Sequence, residues 1–454
     1  MDTINNIITT INNFMWGWPM IILLLGTHMY LTIRLKCPQR KLMKAIRLSV
    51  QKDSDSSGDV SQFGALATSL AATIGTGNII GVATAISLGG PGAVLWCWLT
   101  GIFGIATKYG EGLLAIKYRV KGPDGCMQGG PMYALERGMG MKWLAVIFCI
   151  FTAVAAFGIG NTVQANAISE NLSLVCTDIC DPLITKLASG LIVAAIVGFV
   201  IIGGVRSIAT WCMRLVPLMA ILYVLGCIYI LCINSQYIVP AIRLICTEAF
   251  SLRALGGGTA GTVIMIAARY GIARGLFSNE SGMGSAPIVA AAAQTRNPVR
   301  QALVSSTGTF WDTVIICAIT GLVVVTSIIA YPQISQDDGG MLTKEAFGLI
   351  PYVGTPILTF GIITFSFSTI LGWSYYGERA VEYLGGRRAI FCYRVVWILL
   401  IVAGSVLSLD LVWNVADLMN AFMSIPNLIS LICLSGVIAK ETQYYLWDNH
   451  LDEV

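Results

Sequence analysis

The sequence predicts an all-α polytopic membrane protein, and three observations support that fold class. Hydrophobic residues make up 56% of the 454 residues and charged residues only 11%, whereas soluble domains carry about 25% charged residues. Apolar stretches long enough to cross about 30 Å of hydrocarbon recur along the whole chain. Basic residues gather in alternate loops between those stretches. An ordinary soluble domain is therefore excluded.

Eleven apolar stretches predict eleven transmembrane helices. They are 14–33, 62–86, 91–118, 142–170, 183–203, 211–233, 255–293, 300–330, 354–378, 389–408 and 415–438. The first stretch has no basic residue before it and is followed by Arg34 and Lys36. This pattern favours a retained membrane helix over a cleaved signal peptide.

The basic residues also predict an orientation. Most of the 28 lysines and arginines, including Lys108, are assigned to loops on one side of the eleven helices, and the positive-inside rule places that side in the cytoplasm. The opposite loops hold the acidic residues Glu170, Asp178, Asp181, Asp337 and Asp338. We therefore expect a multi-pass protein of the inner (plasma) membrane with its N-terminus outside and its C-terminus in the cytoplasm.

Two of the predicted helices contain segments that disfavour a continuous helix. One is 71–78, within the span 62–86, and the other is 274–285, within the span 255–293. Both are rich in glycine, which weakens helices, and in Thr, Ser and Asn, which compete for backbone hydrogen bonds. We expect both to unwind at membrane depth, where irregular backbone is tolerated only inside protein or beside a cavity.

The two interruptions predict an internal repeat. Each lies in the first helix of a five-helix set, 62–233 and 255–438, after an extra N-terminal helix at 14–33. An odd number of helices per set gives the second set the opposite orientation. Paired broken helices in inverted halves are typical of a transporter site at the bilayer midplane. We therefore expect one transport domain over 1–454.

The first interruption combines ligands for an anion and a cation. Its candidate substrate ligands are Gly75, Thr76, Gly77 and Asn78. Free backbone N–H groups at the start of a half-helix attract a carboxylate. Carbonyl groups released near Ala71 and Ile74 suit a hard cation such as Na⁺. Close helix packing at the glycines is the alternative, and the second interruption favours a binding site.

The second interruption holds the candidates Phe277, Ser278 and Asn279. Phe277 can enclose a small side chain, and carbonyl groups released there can accept hydrogen bonds from an ammonium group. Glu280 is an acid within the membrane, which makes it a functional candidate by default. A structural role, accepting hydrogen bonds from Arg274 or neighbouring N–H groups, is the alternative.

Polar residues in other helices extend both candidate sites. Gln164 can donate to a carboxylate or bond to another helix. The hydroxyl groups of Ser368 and Thr369 can join the carbonyls of the first interruption in an oxygen cage, although such residues often bond back to their own helix. Trp373, one turn beyond Thr369, can close a cavity or pack in the core.

Several function classes lack support in the sequence. No P-loop is present, so ATP is not expected to drive the protein, and basic residues do not interleave with aromatic ones as in nucleic-acid binders. The scattered acids lack the spacing of a catalytic or metal centre, so neither an enzyme nor a cofactor is expected. Cys176 and Cys180 lie in a predicted outer loop, and the sequence leaves open whether they pair.

Several motifs in this sequence resemble those of the alanine or glycine:cation symporter family, a branch of the transporters with the leucine-transporter architecture. The matching strings are GTGNI at 75–79, GVATA at 81–85, GGPGA at 89–93, GGPMY at 129–133, RGLFSNE at 274–280, GMGSAP at 282–287 and GWSYYGE at 372–378. They span nearly the whole chain, and RGLFSNE is the most specific. The string Lys108-Tyr109-Gly110-Glu111 also fits the family.

The resemblance implies a leucine-transporter-like symporter that uses Na⁺ to import alanine or glycine. It implies carboxylate binding by Thr76, Gly77 and Gln164, pocket walls at Phe277 and Trp373, a polar role for Asn279, and a sodium site of Ser368 and Thr369 facing carbonyls near Ala71 and Ile74. The expected partners are the amino acid, Na⁺ and the lipid bilayer, with no obligate protein partner. A proton-coupled carrier of the same fold, using Glu280 or Asp312, is the alternative.

Overall fold

The computed structural model describes residues 2–51, 53, 56–123, 125–177, 180–250, 260–335, 339–349, 351–407 and 410–453. The expected acidic residues Asp178, Asp337 and Asp338, and the start of the predicted span 255–293, lie outside these residues. Strands β1 (Val120–Lys121) and β2 (Met127–Gln128) pair antiparallel, with Val120 opposite Gln128. Cys176 and Cys180 are both free thiols.

The described chain folds into helices joined by short connections. In chain order they are α1 (Asp2–Met15), α2 (Trp18–Arg34), α3 (Leu42–Ser49), α4 (Gln62–Thr73), α5 (Gly77–Gly89), α6 (Ala93–Lys117), α7 (Pro131–Tyr133, continued by Ala134–Gly138), α8 (Lys142–Val175), α9 (Pro182–Ile202), α10 (Gly204–Ile233), α11 (Ile238–Ala249), α12 (Ala260–Asn279), α13 (Ala286–Ala290), α14 (Pro298–Ala330), α15 (Gly339–Gly348), α16 (Gly354–Gly385), α17 (Arg387–Val406), α18 (Asp410–Cys433) and α19 (Ser435–Thr442, continued by Gln443–Trp447).

Several of these helices are suited to a membrane, which confirms the predicted all-α, multi-pass class. Within the described ranges, eight helices are long and apolar enough to cross a bilayer, and the bent pair α4–α5 raises the number to nine. Helix α6, with 25 residues, and helix α12, with 20, are also long. The total of eleven stays a prediction.

The first interruption is shorter than the segment 71–78 expected from composition. Helix α4 continues to Thr73 and helix α5 begins at Gly77, at an angle of 54°. The turn between them is closed by Asn78, whose Oδ1 accepts a hydrogen bond of 2.9 Å from Gly75 N. In a continuous helix this N–H would bond the Ala71 carbonyl. The side chain of Asn78 therefore releases that carbonyl from the helix.

The second interruption begins later than expected, since the sequence predicted it over 274–285. Helix α12 runs through Asn279, because its last turn is still bonded, with Glu280 N 2.9 Å from Leu276 O. The backbone then takes positive φ angles at Glu280 (55°), Gly282 (91°) and Gly284 (85°). Glycine adopts this region without strain, whereas Glu280 does not. The non-helical segment is thus 280–285.

Two elements differ from the expectations. Lys108, counted among the loop charges although the predicted span 91–118 includes it, lies inside α6 and is only 1% exposed. The predicted span 14–33 missed α1, which packs across the start of α18 and is tied there by Asn12 Nδ2, 2.6 Å from Asn414 O. Apolar residues at helical spacing in α1, from Ile7 to Ile11, were the available signal.

The crossing of α4 with α16 depends on a glycine. A Cβ atom on Gly372 would lie 2.6 Å from Ala72 Cβ, closer than carbon atoms can pack. We expect Gly372→Ala to destabilise the protein by about 1–3 kcal/mol through overpacking. The matched control is Gly26→Ala in α2, where nothing lies within 4 Å and alanine favours the helix. Thermal unfolding in one detergent measures both, and equal midpoints for Gly372→Ala and the wild type would contradict this packing.

Candidate functional site

Oxygen atoms from two helices meet beside the first interruption. Thr369 Oγ1 in α16 lies 3.2 Å from the Ala71 carbonyl oxygen and 3.5 Å from that of Ile74. Ser368 Oγ also lies 3.2 Å from the Ala71 oxygen. All four candidate cation ligands are therefore brought together. The same hydroxyls lie 2.9 and 3.0 Å from the Phe365 carbonyl oxygen, and because each has a single hydrogen, it donates either back to its own helix or across to α4.

Two unpartnered polar atoms lie next to this cluster. A Cβ atom on Gly75 would lie 2.6 Å from Thr369 Oγ1 and 3.5 Å from Gln164 Oε1, which places the turn, the hydroxyl and the amide side by side. Across the described residues, neither Thr76 Oγ1 nor Gln164 Oε1 has a hydrogen-bond partner, although both are buried. Buried polar atoms are normally paired. Both atoms therefore have hydrogen-bonding capacity that a ligand could use.

One hydrogen of the Gln164 side-chain amide is used within its own helix. Its Nε2 donates to Ile159 O at 3.0 Å, and this side chain makes no bond to another helix among the described residues. The second hydrogen of Nε2 can donate to a carboxylate, so that contact stays a prediction. The helix widens into a π-turn at Gly158–Thr162, which brings the Ile159 carbonyl within reach. The side-chain atom of Gln164 that lies beside the interruption without a partner is Oε1. This oxygen is an acceptor, which suits an ammonium group.

Asp312 joins the two interruptions. Asn78 Nδ2 donates to Asp312 Oδ1 at 2.7 Å, and Ser278 Oγ donates to Asp312 Oδ2 at 2.8 Å. Asn279 Nδ2 donates to the neighbouring Thr313 Oγ1 at 3.0 Å. The candidates Asn78, Ser278 and Asn279 are therefore buried in a shared polar network, and their side chains are already bonded. The sequence singled out Asp312 as a deep acid but not as this link.

Phe277 borders a cavity of about 580 Å³. The cavity is lined by Thr76 and Gly77 at the first interruption and extends to Glu170 near the end of α8. A Cβ atom on Gly77 would lie 3.0 Å from the Phe277 ring, so the glycine allows the aromatic ring to reach the broken helix. Trp413 stacks on that ring with centroids 5.8 Å apart, a contact that no sequence motif predicts.

Trp373 lies away from this cavity. It is buried against Gly160 of α8, where a Cβ atom would overlap the indole, and it contacts Tyr376 edge-on at 5.5 Å. Phe277 and Trp373 therefore lie in different places, one beside the cavity and the other in the interior.

Glu280 is bonded within its own interruption rather than to Arg274. It accepts a hydrogen bond from Ser285. The Arg274 guanidinium instead lies over the ring of Phe277 at 5.6 Å. In the part of the chain that the structure describes, no three His, Cys, Asp or Glu residues cluster to hold a metal ion. The oxygen atoms of Ala71, Ile74, Ser368 and Thr369 are of the type that a hard cation prefers.

Comparison with known proteins gives a match across the whole chain. The family model described as "Sodium:alanine symporter family" matches residues 1–453. A protein of Haemophilus influenzae described as an uncharacterized transporter is 49% identical, covering 99% of both chains. The sodium/alanine symporter AgcS of Methanococcus maripaludis is 48% identical, covering 98% of both chains.

A solved structure shares the fold. The crystal structure of MhsT in complex with L-phenylalanine superimposes with a TM-score of 0.59 at 15% identity, covering 85% of this chain and 93% of MhsT. At that identity the likeness establishes the helical arrangement alone.

Proposed function

The chain belongs to the sodium:alanine symporter family, and from this membership we propose that it imports alanine together with Na⁺ through a site at its two broken helices. We further propose that glycine uses the same site. The observation that carries the proposal is the meeting of Ser368 and Thr369 with the released carbonyls of α4, beside the unpartnered atoms of Thr76 and Gln164. The family consists of transporters, so the chain is not an enzyme.

The proposed architecture has eleven membrane spans. It adds α6 and the broken helix α12–α13 to the nine spans that length and composition support. An extra N-terminal helix at 14–33 then precedes two inverted five-helix sets, 62–233 and 255–438, in one transport domain over 1–454. We place the protein in the inner (plasma) membrane with the N-terminus outside, because the basic loops would then face the cytoplasm.

The proposed Na⁺ ligands are the carbonyl oxygens of Ala71 and Ile74 and the hydroxyl oxygens of Ser368 and Thr369. Na⁺ is a hard cation, and unwound backbone carbonyls are its usual ligands in broken transporter helices. The Ala71 carbonyl is suited to this role because the N–H that would occupy it in a helix donates to Asn78 instead.

The proposed amino-acid site lies on the other side of the same turn. The Thr76 hydroxyl and the start of α5 at Gly77 would bind the carboxylate, since half-helix N-termini favour anions. The Gln164 Oε1 acceptor would receive the ammonium group, a role that differs from the carboxylate contact implied by the resemblance. Gly75 provides the room, because any side chain there would contact Thr369.

The remaining candidates shape the site. Phe277 lies against Gly77 and would limit the substrate side chain to a small size. Trp373 would limit it from the interior, where it is buried against Gly160. Asn78, Ser278 and Asn279 would act through the Asp312 network, which fixes the two interruptions relative to each other.

Uptake of radiolabelled alanine into proteoliposomes tests the proposal against a proton-coupled carrier. We expect an inward Na⁺ gradient to drive uptake, and excess unlabelled glycine to compete. Empty liposomes and a gradient of K⁺ are the controls. Uptake that follows only a pH gradient and ignores Na⁺ would instead favour proton binding at Glu280 or Asp312.

Removing one proposed Na⁺ ligand should weaken sodium dependence. We expect Thr369→Ala to raise the Na⁺ concentration for half-maximal uptake by about tenfold, because a lost ligand to an ion is worth roughly 1.5–3 kcal/mol. The matched control is Thr364→Ala, since Thr364 is buried in the same helix but, among the described residues, bonds to Phe360 and Gly361 of its own helix alone. The same Na⁺ dependence in both variants would remove Thr369 from the site.

Enlarging the interior wall should relax substrate size. We expect Trp373→Ala to let leucine compete with alanine for uptake, because removing the indole opens space of the order of a side chain. Trp397→Ala is the control, since Trp397 is also buried but packs on Phe157 and Tyr393. If leucine competes no better in Trp373→Ala than in wild type, Trp373 is not part of the wall.

A further inference from the structure

A buried lysine of α6 binds the end of α12, where the second interruption begins. Lys108 Nζ donates to the Asn279 carbonyl oxygen at 2.8 Å. Asn279 is the last residue of α12, so this carbonyl is one of the four that a helix end leaves without an intrahelical partner. A cation is the favoured partner for a helix C-terminus. Lys108 therefore caps α12 inside the protein.

The same face of α6 binds the other side of the interruption through a carboxylate. Glu111 Oε1 accepts hydrogen bonds from the N–H groups of Gly282 and Gly284, both at 3.0 Å. It also accepts from Asn427 Nδ2 at 2.7 Å, and Asn427 donates in turn to the Gly282 carbonyl at 2.9 Å. One carboxylate and one amide thus satisfy three backbone groups of the non-helical segment.

The spacing of the two charged residues fits this double contact. Residues three apart lie on one face of a helix, so Lys108 and Glu111 point toward the same neighbour. Small residues of α6 allow the approach, since a Cβ atom on Gly104 would lie 3.1 Å from Ser281. Lys108 and Glu111 are 1% and 2% exposed, so water does not compete for these bonds.

The segment held in this way satisfies only part of its own backbone, since Met283 N donates to Glu280 O at 3.2 Å and Ser281 N to Asn279 Oδ1 at 2.8 Å, whereas Gly282 and Gly284 donate to Glu111. Its backbone turns through positive φ angles at Glu280, Gly282 and Gly284, which removes the regular helical partners. At membrane depth each unsatisfied backbone group costs several kcal/mol. The conformation of 280–285 therefore depends on α6, and so does the position of Phe277, Ser278 and Asn279 immediately before it.

We propose that Lys108 and Glu111 are positioning residues for transport, which clamp the two sides of the second interruption to α6 and thereby fix the substrate-facing end of α12. This inference rests on the proposed function, because alanine uptake is the activity by which the two residues are tested. The clamp does not contact Ala71, Ile74, Ser368 or Thr369 and is linked to them through Ser278, Asp312 and Asn78, so its loss acts first on the amino-acid side of the site and should leave the proposed cation ligands able to bind Na⁺.

Substitution of Glu111 separates these effects. We expect Glu111→Ala to raise the alanine concentration for half-maximal uptake, and to lower the maximal rate, by about tenfold or more, because two buried N–H groups lose a charged acceptor. Glu111→Gln keeps an acceptor oxygen and should stay within about threefold of wild type. Lys108→Met should resemble Glu111→Ala. In every variant, the rise in melting temperature on adding Na⁺ without alanine should persist.

A matched control distinguishes positioning from general loss of stability. Glu378 is also a buried carboxylate, and it accepts two bonds from Arg394 at 2.7 and 2.8 Å. We expect Glu378→Ala to lower the melting temperature while keeping the alanine half-saturation of wild type. The clamp is refuted if Glu111→Ala folds and transports alanine as wild type does, or if Glu378→Ala shifts the half-saturation equally.

Hydrogen exchange tests the clamp without a destabilising variant. In the wild type, the amides of Gly282 and Gly284 should exchange at least about a hundredfold more slowly than an unstructured loop, because each is bonded to a buried carboxylate. Exchange at the rate of a loop would overturn the clamp even if Glu111→Ala does not fold. If the wild type shows no Na⁺-dependent uptake, the proposed function is wrong. The exchange rates of Gly282 and Gly284 would then still show whether the clamp exists.

Discussion

The structure depends on one constraint, which is that a helix broken inside a membrane must find new partners for its backbone within the protein. Each interruption meets it with a different side chain. At the first, Asn78 accepts the N–H of Gly75, which closes the turn and frees the Ala71 carbonyl. At the second, Glu111 accepts the N–H groups of Gly282 and Gly284. Backbone groups such as the Ala71 carbonyl are free at the interruptions because these side chains stabilise the irregular backbone around them.

The two interruptions form a single unit because they share Asp312. Asn78 from the first and Ser278 from the second donate to opposite oxygens of the same carboxylate. A shift of the turn at Gly75 would therefore change the geometry at Ser278. If the cation and the amino acid bind as proposed, this carboxylate is the direct physical connection between their sites. Coupling between two ligands requires such an element, whose position both of them influence.

Composition was enough to predict the interruptions, because glycine together with Thr, Ser and Asn inside an apolar stretch disfavours a continuous helix. It also suggested Ser368 and Thr369 as partners of Ala71 and Ile74, and the structure places these four within hydrogen-bonding distance.

The burial of Lys108 could not be predicted, because a single lysine in an apolar stretch resembles a loop charge until its partner, the Asn279 carbonyl, is known. The orientation of Gln164 likewise depends on a π-turn that leaves no clear mark in sequence. Tertiary partners, not propensities, decide such positions.

The two interruptions are fixed to different degrees, and this difference bears on how the protein can change shape. The second is bonded to α6 by Lys108 and Glu111 and to α18 by Asn427, through contacts that involve no ligand. The first is joined to α16 by the hydroxyl groups of Ser368 and Thr369, which donate to the Ala71 carbonyl. A cation bound there would accept lone pairs from those same oxygens and would replace the hydroxyl–carbonyl bonds with ion–oxygen contacts. If Na⁺ binds as proposed, it would act directly on the attachment of α4 and would reach α12 only by way of the Asp312 network among these contacts. A motion driven by Na⁺ would accordingly begin at α4, with the clamped end of α12 as its fixed support.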